Sequence, residues 1–539
     1  MKMIPTILIA LSILSVIVSL QFWPPALWIL IVLVPITVVY MCDVLQTSRA
    51  ILRNYPVIGH FRYLFEMIRP EINQYFIESN LDGTPYNREL RSVAYQRSKK
   101  ELDTLPFGTQ RNVYELGYEW INHSLAAIHP SGEPERVLIG DGACEQPYQA
   151  ALLNISGMSY GALSKNAVIA LNGGAKLGGF CHNTGEGSIS PHHLAPGGDL
   201  CWQIGTGYFG CRNDDGTFDR ALYAERSRID AVKMIEIKLS QGAKPGHGGI
   251  LPAKKITQEI SDIRNVPFGS DVVSPPSHSA FRNPFELLEF INELRMLCGG
   301  KPVGFKICLG NPSEFLGLCM AMQQEQSFPD FITIDGGEGG TGAAPLEFSN
   351  SVGAPLTEGI VMIHNALVGF GIRQPVKLIV SGKILTGFDM AKRLAAGADL
   401  CNMARGFMFS LGCIQARRCN SNDCPVGVTT QQDKLVKGLV VKDKTTRVAN
   451  FQQETVQAFR DILGAAGLER ADDLTPWHII RRISQTEVRS YAQIYKYLRP
   501  SQLLSDDVPD VYADWLSMAS PERFEMHNAY GKYSTSTQV

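Results

Sequence analysis

The chain has 539 residues, with 50 Lys+Arg against 52 Asp+Glu and a formal net charge of −2. Such a balance offers no field to draw in nucleic acid, and 45% hydrophobic residues exclude a disordered, coiled-coil or collagen-like protein. Glycine, at 50 residues, exceeds the usual ~7% and favours many tight strand-to-helix turns, while 12 Cys in so long a chain do not make a secreted disulfide scaffold.

The N-terminus opens with two uncharged apolar runs, residues 4–22 and 26–41. Each approaches the ~20 residues that cross ~30 Å of hydrocarbon. Trp23-Pro24-Pro25 breaks the helix between them, and Phe22, Trp23 and Trp28 suit a membrane interface. Two runs in succession without a small-residue cleavage site argue against a signal peptide. Lys2 precedes the pair and Arg49, Arg53 and Arg62 follow it, which places both ends, and the body, in the cytoplasm. Residues 1–45 are therefore expected to form a two-helix membrane anchor.

Residues 46–140 are mixed, with an amphipathic stretch at 63–68 and a turn-forming segment, Asn80-Leu-Asp-Gly-Thr-Pro-Tyr86, and are expected to cover the next domain. From about residue 150 short apolar runs alternate with Gly-rich turns and helix-length segments. The runs are 152–155, 177–181, 200–204, 232–239, 303–308, 331–334, 377–380 and 400–403. Continuous apolarity marks strands covered on both faces, as in parallel sheets. Helix-length segments such as 284–297 and 388–396 separate them. Eight strand–helix units predict an α/β fold, a TIM (β/α)8 barrel, over 141–500, with 440–500 helical and closing the outer ring. Residues 501–539, ending in Ser-Thr-Ser-Thr before Gln538-Val539, read as a loosely held tail.

In such a barrel, chemistry belongs just beyond the strand C-termini. There the chain carries Ser156-Gly-Met-Ser-Tyr-Gly-Ala-Leu-Ser164, Asn183-Thr-Gly-Glu-Gly187, Gly205-Thr-Gly-Tyr208 and Gln241-Gly-Ala-Lys-Pro-Gly-His-Gly-Gly249. Asp335-Gly-Gly-Glu-Gly-Gly-Thr-Gly342 and Ser381-Gly-Lys383 follow. Glycine lets backbone amides approach a flat or phosphorylated ligand closely, so several such loops on one rim point to a large anionic cofactor. Gly382 and Gly406, after strands seven and eight, fall where barrels hold phosphate.

The sharpest spacing is Cys413-x5-Cys419-x4-Cys424-Pro425. Close cysteines in a cytosolic protein favour metal over disulfide, and three thiolates converging on one point suit an iron–sulfur cluster. Zinc is less comfortable, since no fourth Cys or His follows nearby. The other cysteines lie mostly in apolar segments and read as small hydrophobes.

With these motifs in order, together with Glu236-Ile-Lys-Leu-Ser-Gln-Gly-Ala-Lys-Pro-Gly246 and Ser274-Pro-Pro276, residues of about 150–480 resemble the FMN-binding synthase domain of glutamate synthase. The whole chain resembles the family's short, single-chain relatives. The resemblance implies a β/α barrel binding FMN and a 3Fe–4S cluster, which forms L-glutamate from 2-oxoglutarate, ammonia and two electrons. It places the cluster on Cys413, Cys419 and Cys424. It places the flavin among Met158, Ser159, Gln203, Lys306, Gly340, Thr341, Gly342, Gly382 and Gly406, with Lys306 at the flavin's N1–C2 edge. It assigns the oxoacid to Lys238, Gln241, Lys244 and Arg264, and the mouth of the ammonia path to Glu186. Lys238, Glu186 and Gln241 are the candidate catalytic residues. Lysine and arginine also suit a dicarboxylate on chemical grounds, Arg264 as a bidentate clamp and Lys238 as a point charge.

The chain departs from the full-length pattern. It opens with Met1-Lys2 rather than a catalytic Cys and glutaminase domain, so ammonia is expected to arrive free or from a partner. Residues beyond 500 leave no room for a large C-terminal β-helix. Tyr208 stands where an Arg is expected, and 188–193 replace a more acidic stretch. Two other readings stay open: an FMN and iron–sulfur oxidoreductase for another 2-oxoacid, amino acid or amine, or a membrane electron-transfer or scaffold subunit. A ferredoxin-like donor or a reductase subunit is the expected electron partner, and no nucleic acid is expected.

Overall fold

The structure, a computed structural model, describes residues 11, 14–19, 25, 27–101 and 104–526. It divides into two compact units, Met1–Arg88 and Glu89–Val539.

In the first unit, the second apolar run forms helix α1, Leu27–Leu45. Its stretch Trp28–Leu45 has mean hydropathy 2.3 and is long and apolar enough to cross a membrane. Much of the first apolar run, and the Trp23-Pro24 part of the expected turn, lie outside the described residues; Leu11 and residues 14–19 are helical. One apolar helix is thus described in full, and the expected two-helix hairpin is not. After a bend, the amphipathic stretch becomes helix α2, Gly59–Ile72.

The second unit is built on a closed barrel of eight parallel strands. They are β1 Leu153–Ile155, β2 His182–Asn183, β3 Leu200–Ile204, β4 Val232–Lys238, β5 Val303–Ile307, β6 Phe331–Asp335, β7 Lys377–Ser381 and β8 Leu400–Met403. Each pairs with its neighbour in sequence, and β8 closes on β1 through Asn402 opposite Asn154. The expected barrel is therefore present, with one strand displaced. The run 177–181 was expected as a strand, but Leu177 and Gly178 end the helix α3, Lys165–Gly178. Gly179, at φ 65°, stops that helix and returns its N–H to Ala175, so β2 begins only at His182.

Local chemistry explains the helices between strands. Ser164, Asn283, Asn311 and Thr386 each accept a backbone N–H with their side chains at a helix N-terminus, and Pro284 and Pro312 occupy the first turn. The outer ring closes with α4, Val441–Ala465, packed on α3. A Cβ on Gly174 would lie 2.3 Å from Val448 Cγ1, so glycine permits the close approach of the two helices. The expectation of helix throughout 440–500 holds only to residue 465. Strands Ile479–Arg482 and Val488–Ser490 then form an antiparallel sheet with Glu119–Ile121, because the alternating segment finds a partner strand far away in sequence. Residues beyond 500 are also more tightly held than a loose tail: Tyr512, on helix Asp510–Met518, is buried and accepts the Asn365 amide at 3.0 Å. Residues 527–539 lie outside the described residues.

The barrel interior changes character along its axis. At the base, Cys181, Cys201, Met234, Phe331, Ile379 and Leu400 pack against Ile139, Tyr148 and Ala150. Those last three come from the hairpin Arg136–Ile139/Tyr148–Ala151, which plugs the bottom. Above this layer the inward positions turn polar: Asn154, Asn183, Gln203, Glu236 and Thr333, then Lys238, Lys306, Asp335 and Ser381, all buried or half-buried.

Candidate active site at the barrel rim

Glu236 is the hub of the polar layer. Its Oε2 accepts Gln203 Nε2 at 2.5 Å and Asn183 Nδ2 at 2.8 Å, and its Oε1 accepts Thr333 Oγ1 at 2.6 Å. A buried carboxylate with three donors is fully satisfied, which fixes Gln203 and Asn183 at the rim. One level higher, Lys306 Nζ lies 3.1 Å from Asp335 Oδ2, and Asp335 also accepts Ser381 Oγ at 2.5 Å and Gly242 N–H at 2.9 Å. Burial alone would lower the Lys306 pKa, but Asp335 and Glu236 outweigh it and hold the ammonium above its ordinary range. A fixed positive charge thus faces the barrel mouth. Neither Glu236 nor Asp335 was among the expected site residues, although a lone acid inside an otherwise apolar strand marked both.

Beside this layer, Lys238 at the end of β4 and Gln241 and Lys244 in the following loop line one cleft with Glu186, Thr206 and Gly249. Lys238 Nζ lies 3.1 Å from Glu186 Oε1. A Cβ on Gly249 would lie 2.4 Å from that same oxygen, so the glycine backbone packs directly on the carboxylate. Burial pushes the Glu186 pKa up, but Lys238, Lys244 and Arg264 together outweigh it and keep it ionised. Burial lowers the Lys244 pKa to about 8, against the pull of Glu186, with Lys238 adding to the fall.

Arg264, which ends helix Gln258–Arg264, is 3% exposed. Its Nη2 donates to Tyr160 O at 2.9 Å and Ser159 Oγ at 3.3 Å, and the guanidinium stands 5.1 Å from the Phe209 ring centroid. Its Nε is buried without a hydrogen-bond partner. Arg264 therefore stands behind the loop that carries Met158 and Ser159, in electrostatic reach of Glu186 but not among the residues that line the cleft.

The glycines expected at the flavin have separate jobs. A Cβ on Gly382, at φ 143°, would lie 3.3 Å from Gly336 N, so the loops after β6 and β7 meet backbone to backbone, and one on Gly340 would lie 2.9 Å from Arg405 Nη1, a side chain from the segment after β8. Thr341 lies between Gly340 and Gly342 in the same loop, and a Cβ on Gly342 would contact Cys419 at 3.2 Å, which joins this loop to the cysteine segment. Gly406 faces Met403 and Phe451 inside the packing behind the rim.

Cys413, Cys419 and Cys424 lie on the loop after β8, within electrostatic reach of one another. Among the described residues no three His, Cys, Asp or Glu side chains are placed around a single metal ion. A cluster takes each thiolate on a different iron and needs a wider spacing. The environment favours thiolate at one corner: burial raises the Cys424 pKa, but the Thr429 hydroxyl and the N–H groups of Thr429, Val426 and Val428 outweigh it. Burial pushes Cys413 up to about 12, and Gln415 N–H points at its sulfur at 3.5 Å. Thr429 Oγ1 is buried with no oxygen or nitrogen partner and faces the sulfurs of Cys419 and Cys424. Tyr95, on a helix that sequence reasoning had left unassigned, donates to Cys413 O at 2.6 Å and braces the loop.

Comparison with known proteins agrees with this geometry. The conserved region in glutamate synthase matches residues 117–469. The glutamate synthase large subunit-like protein YerD of Bacillus subtilis is 38% identical over 84% of this chain and 94% of its own length. The archaeal glutamate synthase (NADPH) of Methanocaldococcus jannaschii is 35% identical over 59% of this chain, which spans 60% of that protein. Among solved structures, flavocytochrome b2 with sulfite bound overlays with a TM-score of 0.43 at 12% identity, covering 84% of this chain and 93% of that one. The chain belongs to the glutamate synthase family and is an oxidoreductase.

Proposed function

We propose that this protein catalyses the reductive amination of 2-oxoglutarate to L-glutamate, with FMN at the barrel rim, a 3Fe–4S cluster on Cys413, Cys419 and Cys424, and ammonia that arrives free or from a partner. The observation that carries the reading is the set of cations around one acid: Lys238, Lys244 and Arg264 all act on Glu186 beside a cleft that Lys238, Gln241 and Lys244 line. An anionic dicarboxylate is the ligand that such a cleft favours.

The residues fit both cofactors. Lys306, held cationic by Asp335, and the glycine-floored loops around Gly340 and Gly382 suit a flat anionic flavin, with Gln203 on β3, Met158, Ser159, Thr341 and Gly342 on neighbouring loops and Gly406 behind them. The Thr429 hydroxyl, which faces the sulfurs of Cys419 and Cys424, and the N–H groups around Cys424 suit thiolate and sulfide. Reduced FMN, when bound, supplies the hydride.

The chain's own groups supply the rest. Lys238 and Lys244 hold the oxoacid carboxylates, and Arg264, by fixing the Ser159–Tyr160 backbone, shapes the wall beside them. Gln241 orients the keto oxygen from the same cleft. Glu186, ionised, holds ammonium at its carboxylate and accepts the proton shed as ammonia attacks the keto carbon. Water leaves as the C=N bond forms, and as hydride reaches carbon the proton held by Glu186 passes to the nitrogen, whose developing negative charge the nearby cations stabilise. A ferredoxin-like donor or a reductase subunit supplies the two electrons. Helix α1 supports attachment to a membrane with the barrel on the cytoplasmic side.

Anaerobically reduced protein mixed with 2-oxoglutarate and ammonium tests the reading. Flavin reoxidation coupled to glutamate formation, and dependent on both substrates, is the expected result. Flavin that stays reduced overturns it.

A further inference from the structure

Helix α2 carries none of the candidate site residues, yet its composition and setting are specific. Phe61, Leu64, Phe65 and Ile72 recur at helical spacing and are 54%, 42%, 60% and 39% exposed. Tyr75, Phe76 and Ile77, on the π-helical turn that continues it, are 59%, 84% and 70% exposed. Arg62 and Glu66 pair at 3.8 Å on the other side, with Arg69 one turn further. A soluble protein does not leave such a stripe bare without an occupant.

Three contacts fix where this stripe sits relative to α1. Asp43, in the last turn of α1 and 4% exposed, accepts Val57 N–H at 2.8 Å and His60 Nε2 at 2.9 Å. The Gln46 side chain closes the bend, donating to Asp43 O at 3.0 Å and Arg49 O at 2.8 Å while accepting Arg49 N–H at 2.7 Å. The Arg49 guanidinium stands 4.9 Å from the Tyr63 ring centroid, and a Cβ on Gly59 would touch Leu52 at 3.0 Å, so glycine lets α2 begin tight against the bend. The first turn of α2 is thereby pinned to the polar end of the apolar helix. If α1 spans a bilayer, that end marks the water boundary. Residues 46–72 carry Arg49, Arg53, Arg62 and Arg69 against Glu66 and Glu71, a net positive charge that anionic headgroups attract.

We propose that α2 lies in the plane of the membrane surface, with the Phe61–Leu64–Phe65–Ile72 stripe sunk into the headgroup–acyl boundary of an anionic leaflet. The proposal rests on the membrane reading of α1. It makes the Asp43 bend an elbow that turns the chain from spanning the bilayer to lying on it.

The test uses the full chain reconstituted into phosphatidylcholine vesicles containing about one-third phosphatidylglycerol, with hydrogen exchange followed by peptide. Residues 59–77 should exchange about tenfold more slowly in the wild type than in Phe61→Asp/Phe65→Asp, with residues 27–45 protected in both. Glu66→Gln, on the opposite face, should keep the wild-type protection. As a measurement that needs no disruptive variant, Phe65→Trp should add emission quenched by acyl-brominated lipid and not by aqueous iodide. Equal exchange of 59–77 in wild type and double variant, or quenching of the added Trp by iodide alone, overturns the surface proposal while protected 27–45 leave the anchor standing. Protection of 59–77 that rises with protein-to-lipid ratio overturns it in favour of a second copy as occupant. Free exchange across 27–45 in vesicles removes the anchor reading itself, and the proposal with it.

Discussion

The two ends of the barrel are built from the same eight strands and differ in almost every other respect. At the base, Met234, Phe331, Ile379 and Leu400 close against Ile139 and Tyr148 with no ionised group among them. At the rim, two residues further along the same strands, Glu236, Thr333 and Ser381 fill the lumen, and Lys238, Lys306 and Asp335 ring the mouth. Strand periodicity puts each pair on the same inward face, so the chain moves from oil to charge within ~7 Å along each strand. The difference teaches that stability and chemistry are kept apart along one axis. The base can be packed for density, while the rim bears the cost of burying charge and recovers it through paired contacts such as Glu236 with its three donors.

The largest effect that sharpens this contrast is expected beyond the rim itself. Cys419→Ser should abolish the low-temperature EPR signal of the proposed cluster while leaving the flavin absorbance of the purified protein in place. Loss of flavin as well would mean that the cysteine loop holds the rim together rather than carrying a separate centre. Phe331→Ala at the base should cost about 3–5 kcal/mol of unfolding free energy, read as a lower denaturant midpoint, with substrate dependence of the folded fraction unchanged. A change in oxoacid KM without loss of stability would break the separation of base and rim. Arg264→Ala removes a buried guanidinium from the Ser159–Tyr160 wall and should weaken 2-oxoglutarate binding by about 2–3 kcal/mol, measured as KM against 2-oxoglutarate, with ammonium dependence little altered. The smallest effect is a pH trend. Because burial brings Lys244 to about 8, its cation is present below that value and lost above it, so affinity for the dianionic substrate should fall as pH rises through about 8. Lys244→Met should flatten that limb, and an unchanged profile would assign the charge elsewhere.

Much of this was legible along the chain. The glycine motifs after successive apolar runs located the rim, and the Cys413–Cys424 spacing located the loop after β8, because both signals are local in sequence. The displaced β2 was not legible, since the apolarity of Leu177 belongs to a helix end that only Gly179 in the left-handed region terminates. Arg264 was matched to the oxoacid, yet it stands one layer behind the cleft, on Ser159 and Tyr160. Its distance from the motif in sequence carried no information about which wall it would support. Asp335 lay inside a quoted motif, but its role as the partner of Lys306 depends on β5 and β6 lying side by side. Tyr208, noted only as a departure, anchors the 278–280 turn: its hydroxyl accepts the N–H groups of Ser279 and Ala280 and bonds His278, whose other nitrogen donates to Lys238 O at 2.9 Å.

The amino-acid order by itself determined the number of barrel strands, the apolar N-terminal segment, the glycine-rich turns and the spacing of the cysteines, because each depends on neighbours within a few positions. Tertiary structure alone decided which charges meet. Glu186 acquires its contact with Lys238, Lys306 its counter-ion and Asp43 its grip on the start of α2 only when distant segments are brought within about 3 Å, where direct hydrogen bonds and desolvated charge pairs become strong.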